Sequence, residues 1–133
     1  REYWQLRYET TENDLESLSV NNGRILELGK PVNNSIGIDF RYIGMIKFSA
    51  NGIRKAMEIY DSKKIRNESW IQSGKSFRQG YMTDLLNELI LTGNKVEPII
   101  SEGGWLEFDT AGDYEVMTKL LSERRINPDF FNH

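Results

Sequence analysis

Polar and apolar residues alternate from residue 3 to residue 9, with Trp4, Leu6 and Tyr8 on one face, and this period of two predicts a strand. Residues 17–20 and 24–28 flank Asn22-Gly23. Asn-Gly tolerates the positive φ angles of a two-residue turn, so the pair predicts a hairpin. Residues 30–38 read as a loop, and the apolar run 42–48 reads as a buried strand. Ser49 then caps a helix whose apolar residues Ile53, Ala56, Met57 and Tyr60 recur at helical spacing. Residues 61–79 are rich in Lys, Arg, Ser and Gly and predict a mobile polar connection around Trp70.

The clearest element comes next. Met82, Leu85, Leu86, Leu89 and Ile90 form one helical stripe, and Gly93 stops it. Residues 96–100 predict a strand, Gly103-Gly104 breaks it, and residues 105–108 predict another. Thr110-Ala111-Gly112-Asp113 matches a capping box and opens a helix carrying Tyr114, Met117, Leu120 and Leu121. Pro128 marks a tail. The order predicts a single domain over residues 1–133, an α/β or α+β layer with helices on a mixed sheet.

Composition narrows the class. With 133 residues, 38% hydrophobic and 28% charged, the chain reads as one ordinary globular domain with a real core. No stretch approaches the roughly 20 apolar residues of a membrane helix, and the start shows no secretory signal. The absence of an initial Met predicts a chain cut from something longer. A net charge of -3 argues against a nucleic-acid partner, whose phosphates call for a basic surface. There is no Cys, and the one His is His133, so thiolate or His-rich metal sites and a Cys or His catalyst drop out. Any metal must sit on oxygen ligands, which points to magnesium or a similar hard cation. The cytoplasm is the expected location, and a homodimer stays open.

Chemistry concentrates in Gly103-Gly104-Trp105-Leu106-Glu107-Phe108-Asp109-Thr110-Ala111-Gly112-Asp113-Tyr114. Asp109 falls between a short apolar strand and a capped helix, and in open α/β sheets ligands bind at the carboxyl ends of strands. A carboxylate there can hold a cation against a phosphate. The alternative is that Asp109 caps the helix or meets its dipole.

This segment resembles the C-terminal signature of the sugar-nucleotidyltransferase superfamily, in the branch with the phosphocholine and aminoethylphosphonate cytidylyltransferases. Three further segments resemble the family in order and spacing: Arg24-Ile25-Leu26-Glu27-Leu28-Gly29-Lys30, Tyr42-Ile43-Gly44-Met45-Ile46-Lys47-Phe48-Ser49, and Tyr81-Met82-Thr83-Asp84-Leu85-Leu86-Asn87-Glu88-Leu89-Ile90. The resemblance covers about residues 8–120. It implies the C-terminal portion of a nucleotide-diphospho-sugar transferase-like (Rossmann-like) α/β domain, a mixed sheet with flanking helices and a β-hairpin. It also implies that the N-terminal nucleotide-binding part lies outside this chain. Asp109 would be one of two aspartates holding Mg2+, its partner lying before Arg1, and Lys30 would face the acceptor's phosphate or phosphonate.

Around these, Glu107 would share a sheet face with Asp109 and join the metal or take a cationic group. Tyr81 and Asp84, three apart on one helix face, and Trp105 would line an acceptor pocket. A lone Lys, an exposed helix turn and a core Trp are the structural alternatives. An aromatic over a quaternary ammonium is worth roughly 1–2 kcal/mol, so phosphocholine is a natural acceptor to test.

Two departures stand out. Arg41 occupies the place where the family often has Glu, with Asp39 two residues out of register. A guanidinium there repels an amine and suits an anionic acceptor. There is also no glycine-rich phosphate loop, and Gly74-Lys75-Ser76 lacks the upstream glycine such a loop needs. The implied reaction is attack of an acceptor phosphate or phosphonate oxygen on the α-phosphorus of a nucleoside triphosphate, with CTP the first choice, and departure of pyrophosphate. Positioning and charge neutralisation suffice for it. A non-catalytic binding or oligomerisation module, a sugar-1-phosphate enzyme of the same fold, and an α/β domain without inferable activity are the competing readings.

Overall fold

Strand β1 (Glu16–Asn21) and strand β2 (Arg24–Pro31) pair antiparallel across Asn22-Gly23. Asn22 at φ 49 and Gly23 at φ 71 supply the two positive angles that the turn requires. The computed structural model describes residues 15–34, 36, 38, 40–101, 107–123, 125 and 126. It divides into two compact units, Asp14–Pro98 and the combined stretches Arg1–Asn13 and Ile99–His133. The hairpin appears as expected, and β2 runs on to Pro31, so Lys30 and Pro31 belong to a strand and not to the loop read over residues 30–38.

Helix α1 spans Ala50–Arg66, and the Gly52 N–H donates to Ser49 Oγ at 3.0 Å, the cap read from the sequence. Asn67 ends the helix in the left-handed region at φ 52. Its buried side is narrower than the apolar spacing implied. Ala56 and Lys63 are buried, whereas Ile53, Met57 and Tyr60 are 42%, 57% and 43% exposed. The small Ala56 lets α1 approach the core, and the larger residues beside it stay at the surface.

Helix α2 spans Met82–Leu91 and stops at Gly93, φ 82. Its Leu86 and Leu89 form the core with Leu18 and Leu28 of the hairpin and Ala56 of α1. Val20, Ile25, Tyr42 and Phe48 pack around that cluster. A lone two-stranded hairpin is marginal in water, so its packing on α2 is what holds it.

Two expected strands are absent. Residues 42–48 form no ladder: Gly44 turns to φ 78, Met45 is exposed, and a strand needs a hydrogen-bonded neighbour, not only strand-forming residues. Residues 96–100 make one sheet-like bond, Ile25 N–H to Val96 O at 2.8 Å, and Ile99 and Ile100 are exposed. Residues 107 and 108 are not in a ladder, and the segments 3–9 and 102–106 and the tail at Pro128 lie outside the described residues.

In the second unit, helix α3 (Ala111–Ser122) starts on the expected capping box and buries Met117 and Leu120, while Tyr114 and Leu121 are exposed. The described residues therefore form a mixed α/β arrangement of one antiparallel hairpin and three helices. The wider mixed sheet is not among them.

Candidate functional site

The end of β2 and the start of α2 meet through backbone that only glycine permits. Gly29 sits at φ 76, and a Cβ there would overlap the Thr83 side chain. Beside it, Leu28 N–H donates to Asn87 Oδ1 at 3.2 Å, and Asn87 Nδ2 donates to the Leu28 and Thr83 carbonyls. The amide of Asn87 thus serves β2 as a short substitute for a neighbouring strand. Gly29-Lys30 and Tyr81-Met82-Thr83-Asp84, far apart in sequence, become one junction. Lys30 is exposed there, its N–H donating to Ser17 Oγ at 3.2 Å.

Tyr81 and Asp84 do not share a face. Tyr81 is the cap residue ahead of α2, so helical spacing does not apply to it. Its ring is 61% exposed, with Lys75 Nζ 3.8 Å from the ring centroid. Asp84 is 2% exposed and points inward. Its Oδ2 accepts from Tyr81 N–H at 2.9 Å and its Oδ1 from Ser73 N–H at 3.2 Å. A carboxylate committed to two backbone donors orders the chain around Tyr81; it does not line a pocket.

One turn later, Glu88 does the same for the other end of this segment. Its Oε1 accepts from Ile71 N–H at 3.1 Å and pairs with Lys63 Nζ at 2.8 Å, both side chains being buried. Lys63 also donates to Ser69 O at 3.0 Å. Gln72 Nε2 reaches back to Leu28 O at 2.9 Å, and Trp70, itself buried, donates its indole N–H to Phe77 O at 3.1 Å. Residues 67–81 are therefore fixed, in place of the mobile connection their polarity predicts.

The fixed segment forms one wall of an open groove of about 690 Å3 between α1 and the start of α2. Tyr60, Lys64, Phe77, Arg78, Tyr81 and Leu85 line it. Of these, the sequence reading singled out only Tyr81 as a site residue. Lys64 lies four residues after Tyr60, on one helix face, and that spacing was the available signal. Arg41 is half-buried just ahead of Tyr42. The Tyr42 hydroxyl is held above its usual pKa, first by burial and then by the negative charge of Glu16. Trp105 and Asp39 lie outside the described residues.

At the start of α3, the capping task falls to Thr110. Its Oγ1 accepts from Asp113 N–H at 3.1 Å, and Asp113 Oδ2 accepts from the N–H groups of Thr110 at 2.8 Å and Asp109 at 3.1 Å. The side-chain cap is thus Thr110, not Asp109. Asp109 is exposed and Glu107 half-buried. Among the described residues no group of three or more His, Asp or Glu could hold a metal alone. Carboxylates at 107 and 109 still fit magnesium, which takes one or two protein carboxylates and completes its shell with substrate oxygens and water.

One comparison with known proteins supports a cytidylyltransferase-like relationship. The chain is 33% identical over 113 residues to the CTP:phosphoglutamine cytidylyltransferase of Campylobacter jejuni subsp. jejuni serotype O:2. That match takes in 85% of this chain and 44% of that protein, so the chain spans less than half of the relative's length. A stretch of 113 residues in a chain of 133 includes residues 21–113, and so the hairpin end, the Tyr42 run, the α2 start and Asp109. No protein-family model matches the chain, and no solved structure does. Among the described residues no helix is long and apolar enough to cross a membrane.

Proposed function

We propose that this chain is part of a cytidylyltransferase that transfers CMP from CTP to a phosphorylated or phosphonate acceptor and releases pyrophosphate. The observation carrying this reading is the 33% identity to a CTP-using relative over a stretch that includes the segments with family-like spacing. The acceptor's own oxygen attacks the α-phosphorus, the bond to the β-phosphate oxygen breaks, and pyrophosphate leaves. No covalent protein intermediate is needed, which agrees with a chain without Cys.

Each residue then has a task. Asp109, with Glu107 beside it, holds magnesium, which when bound offsets charge on the triphosphate. Lys30, set at the β2–α2 junction by Gly29, faces the acceptor phosphate. Tyr81 walls the acceptor, and Arg41 favours an acceptor with a further negative group. Asp84 acts through Tyr81 by ordering its backbone, a positioning role. The glycine-rich phosphate loop and the second metal aspartate belong to sequence outside this chain.

The test is pyrophosphate release by the full-length protein with CTP, magnesium and a panel of phosphoglutamine, phosphocholine, aminoethylphosphonate and sugar 1-phosphates. One acceptor should turn over. Asp109→Asn should lower the rate at least ~100-fold, about 2.7 kcal/mol of transition-state stabilisation. Silence with every pair, or an unaffected Asn variant, would sink the reading.

A further inference from the structure

The groove between α1, residues 67–81 and the start of α2 is lined by two cations, Lys64 and Arg78, and by no acid. Along that helix Lys55 meets Glu58 at 2.8 Å, Lys63 meets Glu88 at 2.8 Å and Arg66 meets Glu68 at 3.6 Å. Lys64, which lines the groove, makes no ion pair among the described residues, and neither does Arg78 across from it on the fixed segment. None of the lining residues is acidic. A third cation, Lys75, stands on the exposed ring of Tyr81 at the rim.

The remaining wall is aromatic and rigidly built. The Tyr60 and Phe77 rings lie 4.9 Å apart, and Phe77 stacks on Trp70 at 6.0 Å. Gly80 packs against the Trp70 indole so closely that any Cβ would overlap it. The hydrogen bonds that Asp84 and Glu88 accept and the one that Trp70 donates hold this wall in place. A volume of about 690 Å3 falls in the range of small-molecule sites, roughly 300–1,000 Å3.

We propose that this groove binds a small phosphomonoester, its phosphate held by Lys64 and Arg78 and its body lying on the Tyr60–Phe77 wall. Arg offers a planar fork to phosphate and Lys a point charge. The same groove refuses a quaternary ammonium. The Tyr81 face, where cation–π attraction would seat one, already carries the ammonium of Lys75, and no carboxylate lines the groove to offset a second positive charge. Naming the ligand as the acceptor of the transfer rests on the cytidylyltransferase reading and moves the phosphate contact from Lys30, which does not line the groove, to Lys64 and Arg78; the binding itself does not rest on it.

Phenyl phosphate is the probe, titrated at low salt into the 15N-labelled full chain while the Trp70 indole and the amides of residues 77–82 are followed. Those signals should shift with phenyl phosphate, shift less with inorganic phosphate, and stay still with choline. The double variant Lys64→Gln/Arg78→Gln alters two exposed side chains, keeps the unfolding midpoint, and should weaken phenyl phosphate binding at least tenfold, about 1.4 kcal/mol. Unmoved signals, an unchanged affinity in the double variant, equal binding of inorganic phosphate, or choline binding at the same signals would each overturn the assignment. In the full-length enzyme the double variant should raise the KM for the acceptor and leave the KM for CTP alone. Turnover with an unaltered acceptor KM removes the groove and keeps the transfer reaction. Binding with no turnover for any CTP–acceptor pair does the reverse.

Discussion

The two helix starts that carry the family-like motifs use the same local chemistry for different ends. Each has an aspartate three residues into the helix, Asp84 in α2 and Asp113 in α3, and each aspartate accepts the N–H of its cap residue, at 2.9 Å and 2.8 Å. At α3 the carboxylate of Asp113 also accepts from Asp109 N–H and from the Thr110 hydroxyl, shaping the turn ahead of the helix. At α2 the second oxygen of Asp84 reaches Ser73, eleven residues back, and Glu88 extends the same grip to Ile71 and Lys63. The difference teaches that a helix-start motif reports its cap reliably and its tertiary work not at all. The α2 acids stabilise a wall; the α3 acid shapes the turn that presents Asp109.

The sharpest way to break that comparison is to remove Glu88. Glu88→Ala leaves the Lys63 ammonium buried without its carboxylate and frees Ile71 N–H, and deleting one partner of a buried pair costs roughly 3–5 kcal/mol. Urea unfolding at neutral pH should show that loss, together with increased solvent access of Trp70 in fluorescence quenching. A loss under about 1 kcal/mol, in the range of a surface ion pair, would mean that residues 67–81 are not held from α2.

What the sequence revealed follows the range of each interaction. Asn22-Gly23, the Ser49 cap, the Thr110–Asp113 box and the Gly93 stop are decided within four residues, and the structure has all of them. Residues 67–81 are polar because their partners are backbone groups and buried acids far along the chain, such as Gln72 to Leu28 and Ser73 to Asp84. No local period encodes such contacts, so the segment looked like a connection. Residues 42–48 mislead in the opposite sense. Their apolar run gives strand propensity but cannot supply a ladder partner. Lys63 was invisible for a related reason, since a lysine in a basic run reads as solvated until its partner is found on another helix. Lys64 and Arg78 come to one groove only through the folded 67–81 segment, so no motif spacing marks them as a pair.

A second comparison tests the aspartates directly. Asp84→Ala removes a buried carboxylate that accepts from two backbone donors, and hydrogen bonds to a charged group are worth about 1.5–3 kcal/mol each. Asp113→Ala removes the acceptor of the Asp109 and Thr110 N–H groups and the Thr110 hydroxyl, all within one turn at the helix start, where a capping contact is worth typically about 1 kcal/mol. Urea midpoints should fall further for Asp84→Ala, by a factor of two or more in free energy. Equal losses would show that the reach to Ser73 contributes nothing.

The smallest effect lies at high pH and in the hairpin's packing, away from both helix starts. Burial, and then Glu16, hold the Tyr42 hydroxyl above the ordinary 10.0. A group that ionises less readily in the folded chain than in the unfolded one contributes stability that is complete below about pH 10 and is lost as pH rises through its folded value. Unfolding free energy should therefore decline above pH 10, and Tyr42→Phe, which cannot ionise, should flatten part of that decline relative to the parent chain. Glu16→Gln should flatten less of it, because the Glu16 charge is the lesser of the two causes. Parallel alkaline profiles for the parent chain and Tyr42→Phe would place Tyr42 in solvent and remove it from the packing around Leu18 and Leu28.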